Sequence, residues 1–452
     1  MRPGARGARA LNRWDRAGLY WHTLRHLRPV QFYGRLWFRL HRPRADPAPA
    51  PPLRAATVAW AAPARREPSL AGPRDFIHLG QPGRLDEVHW DGPEREKLWR
   101  YNQHYFDDLN ASGAPARLVW HQALLADWVQ HNLPGPGNAW EPYPTSLRIV
   151  NWIKWSFGGH TLSDACLHSL AVQVRWLRQR LERHLLGNHL FANAKALVFA
   201  GLRFDGPEAE GWLQQGLQIL RREVKEQVLP DGGHFERSTM YHALALEDML
   251  DLCNLMRCQA QALSPAQREL AAQWRDTAAR MQQWLQAMRH ADGEIGFFND
   301  AALGVAPTCA ELDGYALRLD LPAPPPPAGR WLQDSGYARL QNRHAVTLLD
   351  MAPVGPDYLP GHAHADTLSF ELSLHGQRLL VNSGTSCYGA GAERLRQRGT
   401  AAHNTVVVDA QDSSQVWSGF RVARRARPVA AQVTLSAGDQ QASCAQIGRA
   451  VV

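Results

Sequence analysis

Leu321-Pro322-Ala323-Pro324-Pro325-Pro326-Pro327-Ala328-Gly329 splits the chain into two regimes. Each proline fixes φ and removes a backbone donor, so neither a helix nor the interior of a sheet runs through this stretch. Upstream, apolar residues recur at three and four, as in Leu170, Val172, Val174, Leu177 and Leu181. That spacing predicts helices near 115–131, 145–158, 163–185, 188–202, 208–228, 239–259 and 265–290. Downstream the period falls to two. Residues 367–374 place Leu368, Phe370, Leu372 and Leu374 on one face and Thr367, Ser369, Glu371 and Ser373 on the other. Residues 336–340, 345–349, 377–382, 404–409 and 430–435 read as further strands. Helices followed by strands across a proline-rich boundary imply an α+β multidomain protein. The divisions are a basic, aromatic-rich segment with its own proline-rich linker over 1–90, a helical domain over 91–321, a linker over 322–329 and a β-domain over 330–452. A β-domain that stops soon after a strand raises the prospect of a fragment.

The chain has 452 residues, 45% of them hydrophobic and 20% charged, as in an ordinary globular protein with room for several cores. The formal net charge of +8 favours an anionic partner. No Lys/Arg-rich run of the nucleic-acid type occurs, which shifts the expectation from nucleic acid to an acidic glycan. The sequence holds 17 tryptophans, which suit either a sugar platform or core packing. Six scattered cysteines without a C-x-x-C pair indicate free thiols rather than a disulfide framework or a zinc knuckle. Residues 1–18 carry arginines and no continuous apolar core, unlike a secretory signal. No apolar run is long enough to span a bilayer. Residues 19–40 interleave rings and leucines with Arg25, Arg28, Arg35 and Arg39, which fits either a helix packed on the main domain or one lying on a membrane surface.

Three polar stretches interrupt the helical pattern. In Trp140-Glu141-Pro142-Tyr143-Pro144-Thr145-Ser146-Leu147-Arg148, Thr145 or Ser146 is expected to cap a helix. Arg148 would then oppose the macrodipole in the first turn, so Tyr143 and Arg148 are assigned to substrate, with Arg148 gripping a carboxylate. In Gly187-Asn188-His189-Leu190, Asn188 and His189 either cap a helix or line a cleft. In Asp231-Gly232-Gly233-His234-Phe235-Glu236-Arg237-Ser238-Thr239-Met240-Tyr241-His242, ionisable and phenolic groups are denser than capping requires. The stretch is expected to have a functional role, with His234, Glu236 and Arg237 at substrate. Beyond the proline boundary, His362-Ala363-His364-Ala365-Asp366, Asn382-Ser383-Gly384-Thr385 and Ala402-His403-Asn404-Thr405 complete the set. The loop between Thr385 and Thr400 carries Tyr388, Arg394, Arg396 and Arg398, of which Arg396 and Arg398 are expected to hold an anionic sugar.

Asn, Tyr, His and Arg together suit β-elimination at a uronic acid. Neutralising the carboxylate makes the C5 proton removable. A tyrosinate or neutral histidine abstracts it, and a tyrosine or histidine protonates the leaving oxygen. A glycoside hydrolase would instead use two carboxylates, for which Asp231 and Glu236 are the candidates. A non-catalytic glycan-binding or exopolysaccharide-assembly protein is the third reading.

These motifs, in this order over roughly residues 90–430, resemble the heparinase II/III-like polysaccharide lyases. The resemblance implies an N-terminal incomplete α/α toroid, a C-terminal antiparallel β-sandwich and a cleft between them. It implies Tyr241 as general acid and base, His362 as a catalytic histidine and Asn188 as the group that neutralises the uronate carboxylate, with His189 as the alternate. No cofactor is implied for the chemistry. Some members hold a structural zinc with His, Asp and His; His364 and His403 match the histidines, while Asn382 stands in the aspartate position. A neutral amide is a poor zinc ligand, so the departure at Asn382 weakens this set. If His362 faces the cleft and His364 faces inward, the segment before Thr367 has to be bulged or looped. The resemblance also implies a periplasmic or cell-envelope location, with the cytoplasm as the alternative.

Overall fold

The computed structural model describes residues 13–436 and 440–447. Two short helices, α1 (Arg13–Leu24) and α2 (Pro29–Leu40), precede an extended stretch. A small hairpin of β1 (Asp75–His78) and β2 (Gln81–Arg84) runs into α3 (Leu85–Val88) and α4 (Lys97–Tyr105). The helical body then comprises α5 (Leu118–His131), α6 (Pro142–Phe157), α7 (Asp164–Gln179), α8 (Gly187–Arg203), α9 (Pro207–Gln227), α10 (Thr239–Cys258), α11 (Pro265–Ala287) and α12 (Cys309–Arg318). Every helix expected from the spacing is present, with ends displaced by a few residues.

The helix ends follow local chemistry. Ser163, Ser238, Ser264 and Thr308 each accept an N–H of the first turn, and Ser264 with Gln267 forms a capping box ahead of Pro265. Helix α6 differs from expectation. It starts at Pro142 after Glu141, because proline at the first position fits where no donor is needed. Thr145 and Ser146 are therefore interior and buried. Helices α8 and α9 touch through glycines: a Cβ on Gly201 would lie 2.6 Å from the Leu213 nitrogen, and one on Gly216 would lie 2.7 Å from the Val198 side chain. The tryptophans resolve mostly as core, with Trp99, Trp128, Trp152, Trp155, Trp212, Trp274 and Trp284 fully buried. Residues 43–53 are not a free linker. Arg175 donates to the Ala48 and Pro49 carbonyls, and Arg54 N–H donates to Arg203, because prolines leave their carbonyls open to such partners.

Past residues 322–329, which lack regular structure, the chain forms a five-stranded antiparallel sheet. Its order is β3 (Arg330–Leu332), β4 (Tyr337–Gln341), β5 (Ala345–Asp350), β6 (Phe370–Leu374) and β7 (Gln377–Leu380). A helix, α13 (Ala392–Arg398), two short strands, β8 (Val416–Trp417) and β9 (Arg421–Val422), and the hairpin of β10 (Arg427–Leu435) with β11 (Gln440–Ile447) follow. The protein is therefore helical first and sheet-forming second. Two strand expectations fail. Residues 367–369 lie outside β6 because Leu368 adopts φ +66°, and 404–409 stay irregular with Val406 to Val408 exposed.

The two parts share one interface. Trp284, Ala287, Met288 and Phe298 pack with Leu332, Tyr337, Val346, Leu348 and Ala352. Asp231 accepts from the Ser335 N–H (2.7 Å) and hydroxyl (2.8 Å), and Tyr337 donates to the Arg237 carbonyl at 2.6 Å. Removing the Trp284 ring would cost roughly 3–5 kcal/mol, enough to loosen the seam on which the site rests.

Candidate active site

The loop before α10 is what aims Tyr241. Gly232 takes φ +92° because the chain reverses against the Arg280 carbonyl, and Val228 bridges back to His234. Ser238 then caps α10 and also donates to the Asp300 carbonyl, so the helix start is bolted to residues 299–300. Tyr241, on that first turn, stacks on the His362 imidazole with ring centroids 3.7 Å apart and planes 28° apart. Its hydroxyl lies 3.2 Å from that of Tyr388. Burial, with Tyr388 and the Asp300 charge beside it, holds the Tyr241 phenol well above its ordinary range.

Asp300 organises everything behind His362. Its Oδ2 is 2.9 Å from His362 Nδ1, and its Oδ1 is 2.7 Å from His364 Nε2. Arg394 grips both oxygens, with Nη2 2.7 Å from Oδ2, and Thr385 donates to Oδ1 at 2.8 Å. Burial alone would raise the Asp300 carboxyl, but the hydrogen bonds from His362, His364 and Arg394 hold it well below the usual carboxylate range. With a carboxylate on Nδ1, the His362 lone pair belongs to Nε2, the nitrogen turned toward Glu236. The 361–369 segment is irregular, and it turns both His362 and His364 onto Asp300 rather than onto two opposite faces.

Glu236 sits across from that lone pair. It is buried, neither oxygen has a hydrogen-bond partner, and Oε2 is 3.6 Å from His362 Nε2. Burial pushes its carboxyl pKa up. A Cβ on Gly187 would lie 3.1 Å from Glu236 Oε1, which puts the start of α8, with half-buried Asn188 and His189, beside the same carboxyl. His189 Nδ1 meets Glu182 at 3.1 Å, and its ring lies 4.5 Å from that of Tyr143. Burial opposes the charged form of His189, but Glu182 outweighs it and the pKa rises. Tyr143, His189, Glu236, Tyr241, His362 and Tyr388 thus converge, with Asn188 on the helix start beside them.

Several assigned residues do not take the role expected of them. Arg148 is fully buried, donates to Gln173, to the His104 and Ala139 carbonyls and to Thr145, and lies over the Trp128 ring at 3.9 Å. It sits in the second turn of α6 and cannot reach a substrate carboxylate. Arg398 is likewise buried, donating to the Ala363, Ser418 and Arg421 carbonyls, with burial lowering its pKa to about 10. Arg396 is exposed and forked onto Glu393 within α13. The loop expected at 385–400 holds that helix, and its arginine at the site is Arg394. His234 is buried between Gln227 and His242, with burial lowering its pKa to about 3. Arg237, at φ +59°, donates to the Ser335 carbonyl and belongs to the seam. Asp231 is held by Ser335 and Gly233, so the carboxylate pair of a hydrolase is not available.

The zinc set fares poorly as a set of donors. His364 Nδ1 and His403 Nε2 face each other at 3.2 Å. The Asn382 oxygen, however, already accepts the Asn404 N–H at 3.1 Å, and Asp366 accepts from Asn299. Among the described residues, no three His, Cys, Asp or Glu side chains converge as metal ligands. Two imidazoles and an occupied neutral amide do not fit a tetrahedral zinc site.

Asp300 had no role assigned from sequence, and Arg394, one of the loop arginines expected to offer a grip to an anionic sugar, is spent on Asp300 instead. The only local signal was Asn299-Asp300 directly after the apolar run Ile295-Gly296-Phe297-Phe298.

The chain has relatives. The heparinase II/III N-terminus model matches residues 119–314, and the heparinase II/III-like, C-terminal model matches residues 324–447. The chain belongs to the heparinase II/III-like family. Within that family it is 26% identical to a heparin-sulfate lyase of Bacteroides stercoris over 389 residues, covering 74% of this chain and 57% of that protein. It is 23% identical to a heparin-sulfate lyase of Pedobacter heparinus over 419 residues, covering 77% of this chain and 62% of that one. The chain thus spans roughly three-fifths of the length of these heparinase II/III-like relatives. A crystal structure of heparinase III superposes with TM-score 0.55 at 20% identity, over 74% of this chain and 56% of that one. A second heparinase III structure gives 0.52 at 20% identity, over 74% and 60%. At that identity the likeness speaks for the fold.

Proposed function

We propose that this heparinase II/III-like chain is a polysaccharide lyase that cleaves a uronic-acid-containing anionic glycan by β-elimination. The observation that carries the reading is the Tyr241–His362 stack, backed by Asp300 on His362 Nδ1. The uronate carboxylate sits among Asn188, His189 and Glu236, whose carboxyl burial pushes toward the neutral form, and these groups lower the charge that C5 deprotonation creates. His362 Nε2 takes the C5 proton, and the electron pair forms the C4–C5 double bond as the C4–O bond breaks. Tyr241, kept protonated by its surroundings, gives its proton to the departing oxygen. No step needs a metal. The +8 charge favours such a substrate, and the names of the relatives make heparan sulfate the first glycan to try.

On this reading residues 91–321 supply an incomplete α/α toroid and the described residues from 330 onward an antiparallel β-sandwich, with the linker at 322–329 between them and the cleft along the seam. Location in the periplasm or cell envelope goes with the family. The test is ultraviolet absorbance of an unsaturated uronide. Incubation with heparan sulfate, chondroitin sulfate, hyaluronan, alginate and bacterial exopolysaccharides should give signal with at least one. Binding without product across all of them would replace the lyase with a glycan-binding protein.

A further inference from the structure

Helix α2 presents its apolar side to water. A helix packed on a globular domain normally does the reverse. Here the side facing the protein is Gln31, Gly34 and Phe38. Gln31 is buried and donates to the Tyr358 carbonyl at 3.1 Å. A Cβ on Gly34 would lie 3.0 Å from that of His184, so the helix backbone rests directly on residue 184. Phe38 packs on the His184 ring at 4.4 Å between ring centroids, with the Arg180 guanidinium 3.8 Å from the Phe38 ring centroid. Arg28 pairs with Glu226 and covers the Tyr358 ring at 3.7 Å. These contacts fix the rotation of α2, and that rotation turns Phe32, Tyr33, Leu36, Trp37 and Leu40 outward, with exposures from 50% for Phe32 to 69% for Leu40. Helix α1 repeats the arrangement, with Leu19 buried and Trp14 and Trp21 exposed at 83% and 66%.

The charge on these two helices and their flanks is predominantly positive. Residues 13–44 contain eight arginines, no lysine and, as acids, Asp15 alone. Arg35 and Arg39 lie one turn apart along an edge of the α2 stripe, and both are exposed. Tryptophan and tyrosine rings with leucines on one side of a helix and arginines flanking them describe a helix lying in the plane of a membrane interface. Arginines near an anionic leaflet add attraction that falls within a Debye length. No described helix is long and apolar enough to cross a membrane.

We infer that α1 and α2 form a docking surface for an anionic phospholipid bilayer, with the apolar stripe in the headgroup region and the arginines at the phosphates. This stands independently of the lyase reading. The full chain should co-sediment with vesicles of phosphatidylglycerol and phosphatidylethanolamine and much less with pure phosphatidylcholine, and rising salt should weaken the binding. The triple variant Phe32→Ser, Leu36→Ser, Trp37→Ser should lower the partition coefficient roughly tenfold or more. Arg35→Glu with Arg39→Glu should do so for anionic vesicles without touching the apolar stripe. Circular dichroism of each variant checks the fold. Wild-type protein that stays in the supernatant with anionic vesicles, or a triple variant that binds them as well as wild type, would overturn the inference. A concentration-dependent dimer in sedimentation velocity, lost in the triple variant and unaccompanied by vesicle binding, would assign the face to a second copy of the chain instead.

Discussion

Tyr241 and His362 come from opposite parts of the chain, and their rings lie stacked with centroids 3.7 Å apart. The helical part supplies the phenol from the first turn of α10, and an irregular segment of the β-part supplies the imidazole. Neither element makes the pair alone, so the α/β seam is a part of the proposed chemistry.

Tyr241→Phe should leave the fold intact and reduce kcat by roughly 10²- to 10⁴-fold, the range for a lost general acid. Steady-state ultraviolet assays with matched melting curves measure this. Tyr388→Phe, which removes a partner at 3.2 Å, should cost about tenfold or less. Equal losses in both variants would move the acid role to Tyr388.

Asp300→Asn should damage stability and catalysis together. It leaves the Arg394 guanidinium buried without its carboxylate, a loss on the order of 3–5 kcal/mol. It also removes the acceptor that fixes the His362 tautomer, so kcat should fall at least about 10²-fold in whatever protein folds. Thermal melts and kinetics at a temperature below the variant's Tm separate the two.

Glu236 carries a pH signature. Burial raises its pKa, so it is neutral at low pH and becomes a carboxylate facing the uronate as pH rises. In the wild type kcat/KM should therefore fall along the alkaline limb through rising KM. Glu236→Gln should flatten that limb, whereas a Gln variant inactive at every pH would mean that the carboxylate itself is required.

Arg148→Met should lower stability by roughly 1–3 kcal/mol, because the Gln173 and Ala139 oxygens lose a buried donor. KM should stay unchanged in the folded variant. A raised KM with an unchanged Tm would restore the carboxylate-binding role.

Acid should unfold this protein through its neutral buried histidines. Burial depresses His234 and His242 to about 3 each, so between that value and 6.5 the unfolded chain binds the protons and the folded chain does not. Stability is then fully present above pH 6.5 and declines as pH falls, at roughly 1.4 kcal/mol per pH unit for each histidine. Urea titrations from pH 7.5 to 5 measure the slope, and His242→Gln should reduce it.

The α-then-β order, the helix positions from 115 to 290 and the motif residues Asn188, Glu236, Tyr241 and His362 were legible in the sequence. Periodicity, caps and proline punctuation are local properties, and they survive folding largely unaltered. What surrounds each polar side chain is a different matter. An arginine reads the same whether it pairs at the surface, as Arg396 does with Glu393, or ends inside a helical core, as Arg148 does, or on a buried carboxylate, as Arg394 does. Asp300 gains its place only because β-part residues 362, 364 and 394 close around it. The failed strand at 404–409 has the same cause, since alternation supplies a face but pairing needs a neighbour. The sequence by itself determined which elements form and which residue types carry the chemistry. Only the tertiary structure decided which charges are neutralised, which are aimed at the cleft and which face of α2 meets water, because those depend on partners distant in sequence.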